Sequence, residues 1–413
     1  MHVAYLGPEL PALSATFIYE ELNGLERRGI RVSPFSVTKA THAAIAQGEL
    51  LKRTEVLYDR GPPLLVLEGL IALVRSGRRS FEALGCLLSD LRSVGIRHPA
   101  FWKLGYQWLT GARLALALRR KGCTHLHVHF AHTPAQIGMY AAAFSGLPFT
   151  ITAHANDIFE RALLLPEKAR RAKKLLTISQ FNLEHLRKLG VPESRLAVVR
   201  CGVSFKHRVD IPVVGQKSHI RLGTLCRLVE KKGVDDLIRA VRCLHDQSFS
   251  VELDIAGDGP LRQQLQALVN TLELGSAVRF LGLLDHGEVS SWLRSLDVFV
   301  LACKQDSNGD MDGIPVVLME AMSQRIPVVS TRLTGIPELI IDGQTGLLAA
   351  PADAESLAGA LRRMVEDPEL RGQLSAAAVR HVVAEFGQQV NLDRLLAHIG
   401  SVPPSMPPPE TVQ

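Results

Sequence analysis

Short apolar runs, many of them rich in Val, Ile and Leu, recur along this chain of 413 residues. Each gives way to a polar or glycine-bearing loop and then to helical periodicity. Runs without polar alternation suit strands that helices bury on both faces. The alternation therefore predicts an α/β protein with parallel, doubly wound sheets. At 413 residues the chain is too long for one ordinary core, so two such domains are expected.

In chain order, residues 2–6 read as a first strand and Gly7-Pro8-Glu9-Leu10-Pro11 as a loop. A helix capped by Ser14 then carries Phe17, Ile18, Glu21, Leu22 and Leu25 to Gly29, and a strand resumes at residues 30–32. This β–loop–α–β opening lacks the GxGxxG of a dinucleotide fingerprint. Residues 64–121 are helical in pattern and rich in Leu and Arg. The apolar run at 64–74 has eleven residues and contains Glu68, so it is too short to span a bilayer. With Arg75, Arg78 and Arg79 beside it, the run has the make-up of a helix lying on a membrane, although an ordinary domain helix explains it more plainly. The His-rich run 125–132, a helix over 134–145 and a strand at 148–152 come next, followed by the loop Ala153 to Asp157. Short strands at 175–178 and 196–199 flank a helix over 180–189.

The stretch 206–218 is polar and contains Pro and Gly, as an interdomain linker would. A second series begins at residue 220, with strands at 220–225, 251–256, 278–281, 298–301 and 327–330. Its most informative segment is 298–322. There an apolar strand opens into an acidic loop, Pro315 is preset for the first turn of a helix, and Glu320 lies within that helix. A strand, a loop and a helix N-terminus together free backbone N–H groups to hold a phosphate. Helices over 354–366 and 370–385 close the series, and the Pro-rich tail is expected to be disordered.

Charge is unevenly spread. Residues 1–200 hold 27 Lys and Arg against 15 Asp and Glu, whereas the remainder holds 20 against 26. The first half therefore suits an anionic partner, with nucleic acid, phospholipid, a lipid diphosphate and an acidic glycan all fitting on charge alone. Six cysteines without a CxxC pair, together with an N-terminus lacking a signal-peptide layout, predict a reduced, cytoplasmic protein without a structural zinc.

Several residue groups carry chemistry. Arg227 and Lys232 sit between a strand and a helix, where a bidentate fork and a point charge could clamp a diphosphate. Two solvated loop cations would look the same. In the acidic loop, Asn308, Asp310, Asp312 and Gly313 match part of a calcium loop, but Met319 stands where the bidentate Glu belongs. Asp310-Met311-Asp312 also matches a metal–nucleotide DxD. His125, His127 and His129 share one strand face, as zinc ligands or as residues lining a polar strand end. His154, three residues before Asp157, suits hydroxyl recognition or proton handling.

Taken together, these motifs resemble a known family. Asp312-Gly313 followed by Glu320 on the next helix, with RLVEKKG at 227–233, AGDGP at 256–260 and TGIPELIIDGQTGLL at 334–348, resembles the C-terminal domain of retaining glycosyltransferases of family 4. PALSATFIYEELNGLERRG at 11–29, HVHF at 127–130, TAHANDIF at 152–159 and TISQFN at 177–182 resemble the branch that builds bacterial exopolysaccharides such as colanic acid and amylovoran. The resemblance implies the GT-B architecture, two Rossmann-like domains facing across a cleft. It assigns residues 1–205 to the acceptor and 206–385 to the nucleotide sugar, takes a helix at about 386–400 back to the first domain, and leaves 401–413 as the tail.

By the same resemblance, Glu320 accepts hydrogen bonds from the donor's ribose. Asp312, with the turn Gly313-Ile314-Pro315-Val316 and Gly257, holds the donor's sugar and phosphates. Arg227 and Lys232 stabilise the departing nucleoside diphosphate, so neither metal nor cofactor is expected. His154 contacts the sugar, and Gly7, His129 and Asp157 lie on the acceptor side. Two departures stand out. The first motif acid is usually Glu, and Asp312 retreats by one methylene, about 1–1.5 Å. Gly7-Pro8-Glu9 replaces a double-glycine turn.

The expected reaction is retaining transfer of a hexose from a nucleoside-diphosphate sugar to a glycan or lipid-linked acceptor. The enzyme would be cytoplasmic and peripheral at the inner membrane face, its basic half would meet anionic lipid, and nucleic acid would not be a partner. No carboxylate is placed as a covalent nucleophile, so same-face attack is expected. A non-hydrolysing nucleotide-sugar epimerase and a catalytically silent scaffold of polysaccharide assembly are the rival readings.

Overall fold

The computed structural model describes residues 1–12, 16–41, 48–59, 61–204 and 219–400. The expected cap Ser14, the linker 206–218 and the tail 401–413 lie outside the described residues. Packing divides the chain into two compact units. One comprises Met1–Ile178, Leu183–Gly202 and the chain from Gln388, and the other Ser179–Asn182 with Val203–Gly387.

In the first unit seven strands form one parallel sheet: β1 (His2–Glu9), β2 (Arg31–Thr38), β3 (Glu55–Val56), β4 (His125–His129), β5 (Phe149–Ala153), β6 (Lys174–Thr177) and β7 (Leu196–Val198), in the order β3-β2-β1-β4-β5-β6-β7. Leu6, Val128, Ile151 and Leu175 feed one core beneath the helices Ala100–Lys121 and Thr133–Ser145. The other face is closed by helix Thr16–Arg27, whose Ile18, Leu22 and Leu25 share a cluster with Leu392 and Leu396 of the last helix, Gln388–Ile399. Arg28 and Asp393 pair at 2.6 Å beside that contact.

The second unit holds β8 (Ile220–Leu225), β9 (Val251–Ala256), β10 (Val278–Gly282), β11 (Val298–Leu301), β12 (Val328–Thr331) and β13 (Leu347–Ala349). These six strands are parallel in the order β10-β9-β8-β11-β12-β13. In each sheet the order reverses once, between β1 and β4 and between β8 and β11. At such a point neighbouring loops leave in opposite directions and open a crevice beyond the strand C-termini. The loops after β8 and β11 are therefore neighbours, although about seventy residues separate them in sequence.

Several expectations need correction. Gly7 is not in a loop; it lies within β1 and pairs with Ser36, because the strand runs on to Glu9. The helical region is three helices, Pro62–Ser76, Arg78–Val94 and Ala100–Lys121, with a glycine at each break or close beside it. His154 to Asp157 is not an open loop but caps and begins the short helix Ala155–Phe159. Pro315 precedes helix Val316–Ser323 as its N-cap, with an extended ψ of 124°, rather than occupying the first helical turn. Strands β3 and β13 are too short for their periodicity to show in the sequence.

Gly233 joins the loop after β8 to helix Val234–Asp246 at φ +61°, and an added Cβ would stand 1.8 Å from the Ala302 carbonyl oxygen. Gly233→Ala should therefore destabilise the protein by about 1–3 kcal/mol. Gly359→Ala, inside helix Ala354–Glu366 with nothing near its Cβ, should instead stabilise it by about 0.5–1 kcal/mol. Thermal melts of the two variants should shift in opposite directions, and a Gly233→Ala melt matching wild type would refute the account.

Candidate active site

The loop leaving β8 is fixed by backbone pairing. Leu228 is fully buried, its N–H donates to the Asp258 carbonyl at 2.9 Å, and its own carbonyl accepts from Leu261 at 3.1 Å. Gly257 makes this approach possible. It sits at φ +113°, and a Cβ there would lie 1.9 Å from the Cys226 carbonyl oxygen. Gly257 therefore buttresses the loop that carries Arg227, and any donor contact would come through its backbone. Arg227 is exposed, and its guanidinium has no partner among the described residues.

Lys232 ends the short turn Glu230–Lys232, and its ammonium lies 2.6 Å from Asp312 Oδ2. Lys231 reaches Asp310 at 2.7 Å and Asp312 Oδ1 at 3.5 Å. The buried Cys303 thiol donates to Asp312 Oδ2 at 3.3 Å. Burial alone would raise the Asp312 pKa, but the Lys232 and Lys231 ammonium groups outweigh it and hold the carboxyl below its ordinary range. Burial would likewise lower Lys232, yet the facing carboxylate leaves it raised. Cys303 is pushed well up by burial and by Asp312, so it stays a neutral donor. Both acids of the DxD pattern, which also match two positions of a calcium loop, are thus engaged by lysines.

Immediately after Asp312 the chain turns into helix Val316–Ser323. The Thr334 hydroxyl is shared between the carbonyls of Asp312 and, at 2.9 Å, Gly313, which both accept from it. The N–H groups of Gly313, Ile314, Val316 and Val317 have no acceptor among the described residues. Pro315 brings no N–H and provides no side-chain cap. Uncapped helix N–H groups beside a lysine are suited to an anion.

Glu320 lies one turn into this helix. Its carboxylate has no hydrogen bond or ion pair among the described residues, and burial pushes its pKa up to about 7. Asp312 and Glu320 are therefore opposite in character, one compensated and the other waiting for donors.

The first unit gathers a separate polar cluster at the β1–β4 reversal. Glu21 Oε1 accepts from the Tyr5 hydroxyl at 2.6 Å and meets His129 Nε2 at 3.0 Å. His129 Nδ1 faces His154 Nε2 at 3.4 Å, with Phe17 and Phe130 against the His154 ring. Burial and the neighbouring imidazoles drive His154 well below its usual pKa, so it is neutral. Asp157 points inward, where it accepts from the N–H groups of Ala131 and, at 2.8 Å, His154. Burial lifts its pKa to about 7. It shapes the turn under His154 rather than presenting a carboxylate to solvent.

Glu21, His127 and His129 bring their ligand atoms within 4.8 Å of one another, a spacing that a divalent cation could bridge. Each already has partners, however. His127 Nδ1 and Nε2 meet the Thr150 and Thr152 hydroxyls at 2.7 and 3.2 Å, and Glu21 is shared between Tyr5 and His129. Sequence reasoning missed Glu21, Tyr5, Lys231 and Cys303 as site residues. Only Glu21 left a signal, as the one charge on the otherwise apolar stripe Phe17, Ile18, Leu22, Leu25.

Residues 216–381 match the model of glycosyl transferases group 1, and residues 14–207 match that of glycosyltransferase family 4. The Escherichia coli protein WcaL, named as a colanic acid biosynthesis glycosyltransferase, is 30% identical over an alignment that covers 97% of this chain and 99% of WcaL. This chain belongs to glycosyltransferase family 4. AmsK of Erwinia amylovora, an amylovoran biosynthesis glycosyltransferase, is 33% identical over 57% of this chain and 60% of its own length. Among solved structures, Anabaena HepE in complex with UDP and glucose superposes with a TM-score of 0.70, covering 96% of this chain and 98% of HepE at 16% identity. The protein is accordingly a glycosyltransferase with the GT-B fold. No helix among the described residues is long and apolar enough to cross a membrane.

The lone burial of Glu320 predicts a pH-dependent stability. Its folded pKa lies above the unfolded value, so it costs nothing while neutral in both states. The cost grows as pH rises from the unfolded value near 4.5 and levels off above about 7, at up to about 3 kcal/mol. Glu320→Gln should therefore melt with wild type at pH ~4 and above it at pH ~8. Equal melting temperatures at both would show that the carboxylate is not desolvated.

Proposed function

We propose that this glycosyltransferase moves a hexose, with retention, from a nucleoside-diphosphate sugar to a glycan or lipid-linked acceptor in the synthesis of an exopolysaccharide. The carrying observation is the turn after β11. Among the described residues, four N–H groups without acceptors stand next to an Asp312 paired with Lys232, and one turn on comes a Glu320 with no hydrogen bond or ion pair. This combination matches a nucleotide sugar part by part. Lys232 and the exposed Arg227 meet the charge that builds on the leaving diphosphate, and the N–H groups hold its oxygens. Glu320 takes the two ribose hydroxyls as donors, which restores its charged form. The bound UDP of HepE and the names of WcaL and AmsK support the donor class and the pathway.

Cations and N–H groups that meet leaving-group charge act more on the transition state than on the ground state, as catalysis requires. Asp312 has the lysine pair as its partners, so its role is to position Lys232 until the diphosphate arrives. We assign recognition of the transferred sugar to the neutral His154. Gly7 and His129 stay on the acceptor side, His129 through its bond to Glu21 and Gly7 through the backbone of β1. The leaving group departs on the face that the acceptor attacks, with the diphosphate accepting the acceptor's proton, and no metal is needed.

Arg227→Ala should leave the melting temperature unchanged, because the side chain is exposed and makes no hydrogen bond or ion pair among the described residues, while kcat falls about 100-fold. Turnover of UDP- and GDP-linked hexoses should release nucleoside diphosphate only when acceptor extract is present, and should persist in EDTA. Interconversion of the donor without acceptor would favour an epimerase, and the absence of both reactions would favour a scaffold. Full activity in Arg227→Ala or Glu320→Ala would remove the site assignment.

A further inference from the structure

A helix packed on a protein surface ordinarily turns a polar face to water. Helix Pro62–Ser76 does not. Leu65, Ala72 and Ser76 are buried on its inner face, while Leu67, Leu70, Ile71 and Val74 recur at three- and four-residue spacing on the outside, with Val74 83% exposed. The next helix, Arg78–Val94, repeats the arrangement. Phe81, Leu84 and Leu88 form an exposed stripe at i, i+3 and i+7, with Phe81 78% exposed, while Ala83 points inward. Trp102, near the start of helix Ala100–Lys121, is 75% exposed. Of the 19 large apolar side chains exposed among the described residues, 11 fall between Leu64 and Trp102. Scattered exposure is normal, but this concentration is not.

The charges nearby have one sign. Between residues 61 and 103 the exposed cations are Arg75, Arg78, Arg79, Arg92, Arg97 and Lys103, whereas Glu82 is the one exposed carboxylate among the described residues there. The other two acids are turned inward and neutralised, Glu68 by Arg113 at 3.4 Å and Asp90 by Arg171 at 2.8 Å.

We infer that the outer face of helices Pro62–Ser76 and Arg78–Val94 docks this enzyme on an anionic phospholipid bilayer. Apolar side chains interspersed with cations suit a partner that is negative at its surface and hydrocarbon beneath. Neither helix is long enough to cross, so both lie in the interface, with Val74 and Phe81 inserted among acyl chains and the arginines at headgroup phosphates. The inference extends the lipid-linked-acceptor reading by giving the enzyme a place on the membrane that carries such an acceptor.

The full chain is sedimented with phosphatidylcholine vesicles and with vesicles one-third phosphatidylglycerol, at low and high salt. Wild type should partition onto the anionic vesicles at least about tenfold more strongly, and less so in high salt. The double variant Val74→Asp/Phe81→Asp should melt like wild type, since both side chains lie outside the core, and should lose at least about tenfold in partitioning. Arg78→Ala/Arg92→Ala/Arg97→Ala should lose the preference for anionic lipid. Wild type left in the supernatant, or a double variant that binds as wild type does, overturns the inference. So does a wild-type dimer in sedimentation velocity that the double variant converts to monomer, because a second copy would then occupy the face. Vesicle binding needs neither donor nor acceptor, so its outcome is independent of the transferase assay.

Discussion

The ion pair between Lys232 and Asp312, 2.6 Å apart and largely shielded from water, is the contact on which the candidate active site depends. It ties the loop after β8 to the loop after β11 across the point where the sheet order reverses. Buried charges are stable only with compensation, and removing one partner of such a pair is far more costly than forming it is favourable. Here the compensation is generous, with Lys231 and the Cys303 thiol also on Asp312. The pair holds a cation beside a turn whose N–H groups have no acceptor among the described residues.

Against that background the shortened acid of the motif has a physical explanation. Asp312 is already within bonding distance of the ammonium group in the next loop. Glu320, one turn into helix Val316–Ser323, has no such partner among the described residues, and burial pushes its pKa up to about 7. The two acids of one motif therefore do different work. The first is compensated within the protein, and the second has no hydrogen bond or ion pair among the described residues.

The polar cluster of the first unit follows the same logic with other residues. Five imidazole, phenol and carboxyl groups, Tyr5, Glu21, His127, His129 and His154, satisfy one another at the reversal between β1 and β4. Burial keeps His127 and His154 uncharged, and Thr150 and Thr152 hold the His127 ring from its far side. His125, His127 and His129, which the sequence offered either as zinc ligands or as residues lining a polar strand end, are hydrogen-bonded to neighbouring side chains. The outer helices of the same unit break the usual surface pattern, and they do so with apolar side chains rather than with catalytic ones.

The sequence by itself determined the two parallel α/β series, because apolar strands alternating with amphipathic helices have few other ways to bury both faces. It also placed Arg227, Lys232, Asp312 and Glu320 in strand–loop–helix connections, since that pattern is local. It could not reveal that Lys232 and Asp312 pair, because strand order, not chain order, makes their loops neighbours. Nor could it show that Gly7 lies within a strand or that Asp157 points inward, since both depend on where pairing ends and which face is covered. Glu21 and Tyr5 join the histidines only once β1, β4 and the first helix are packed together. The unequal titration of Asp312 and Glu320 was likewise decided by tertiary structure, because a carboxyl group's pKa depends on which charges surround it and how much water reaches it.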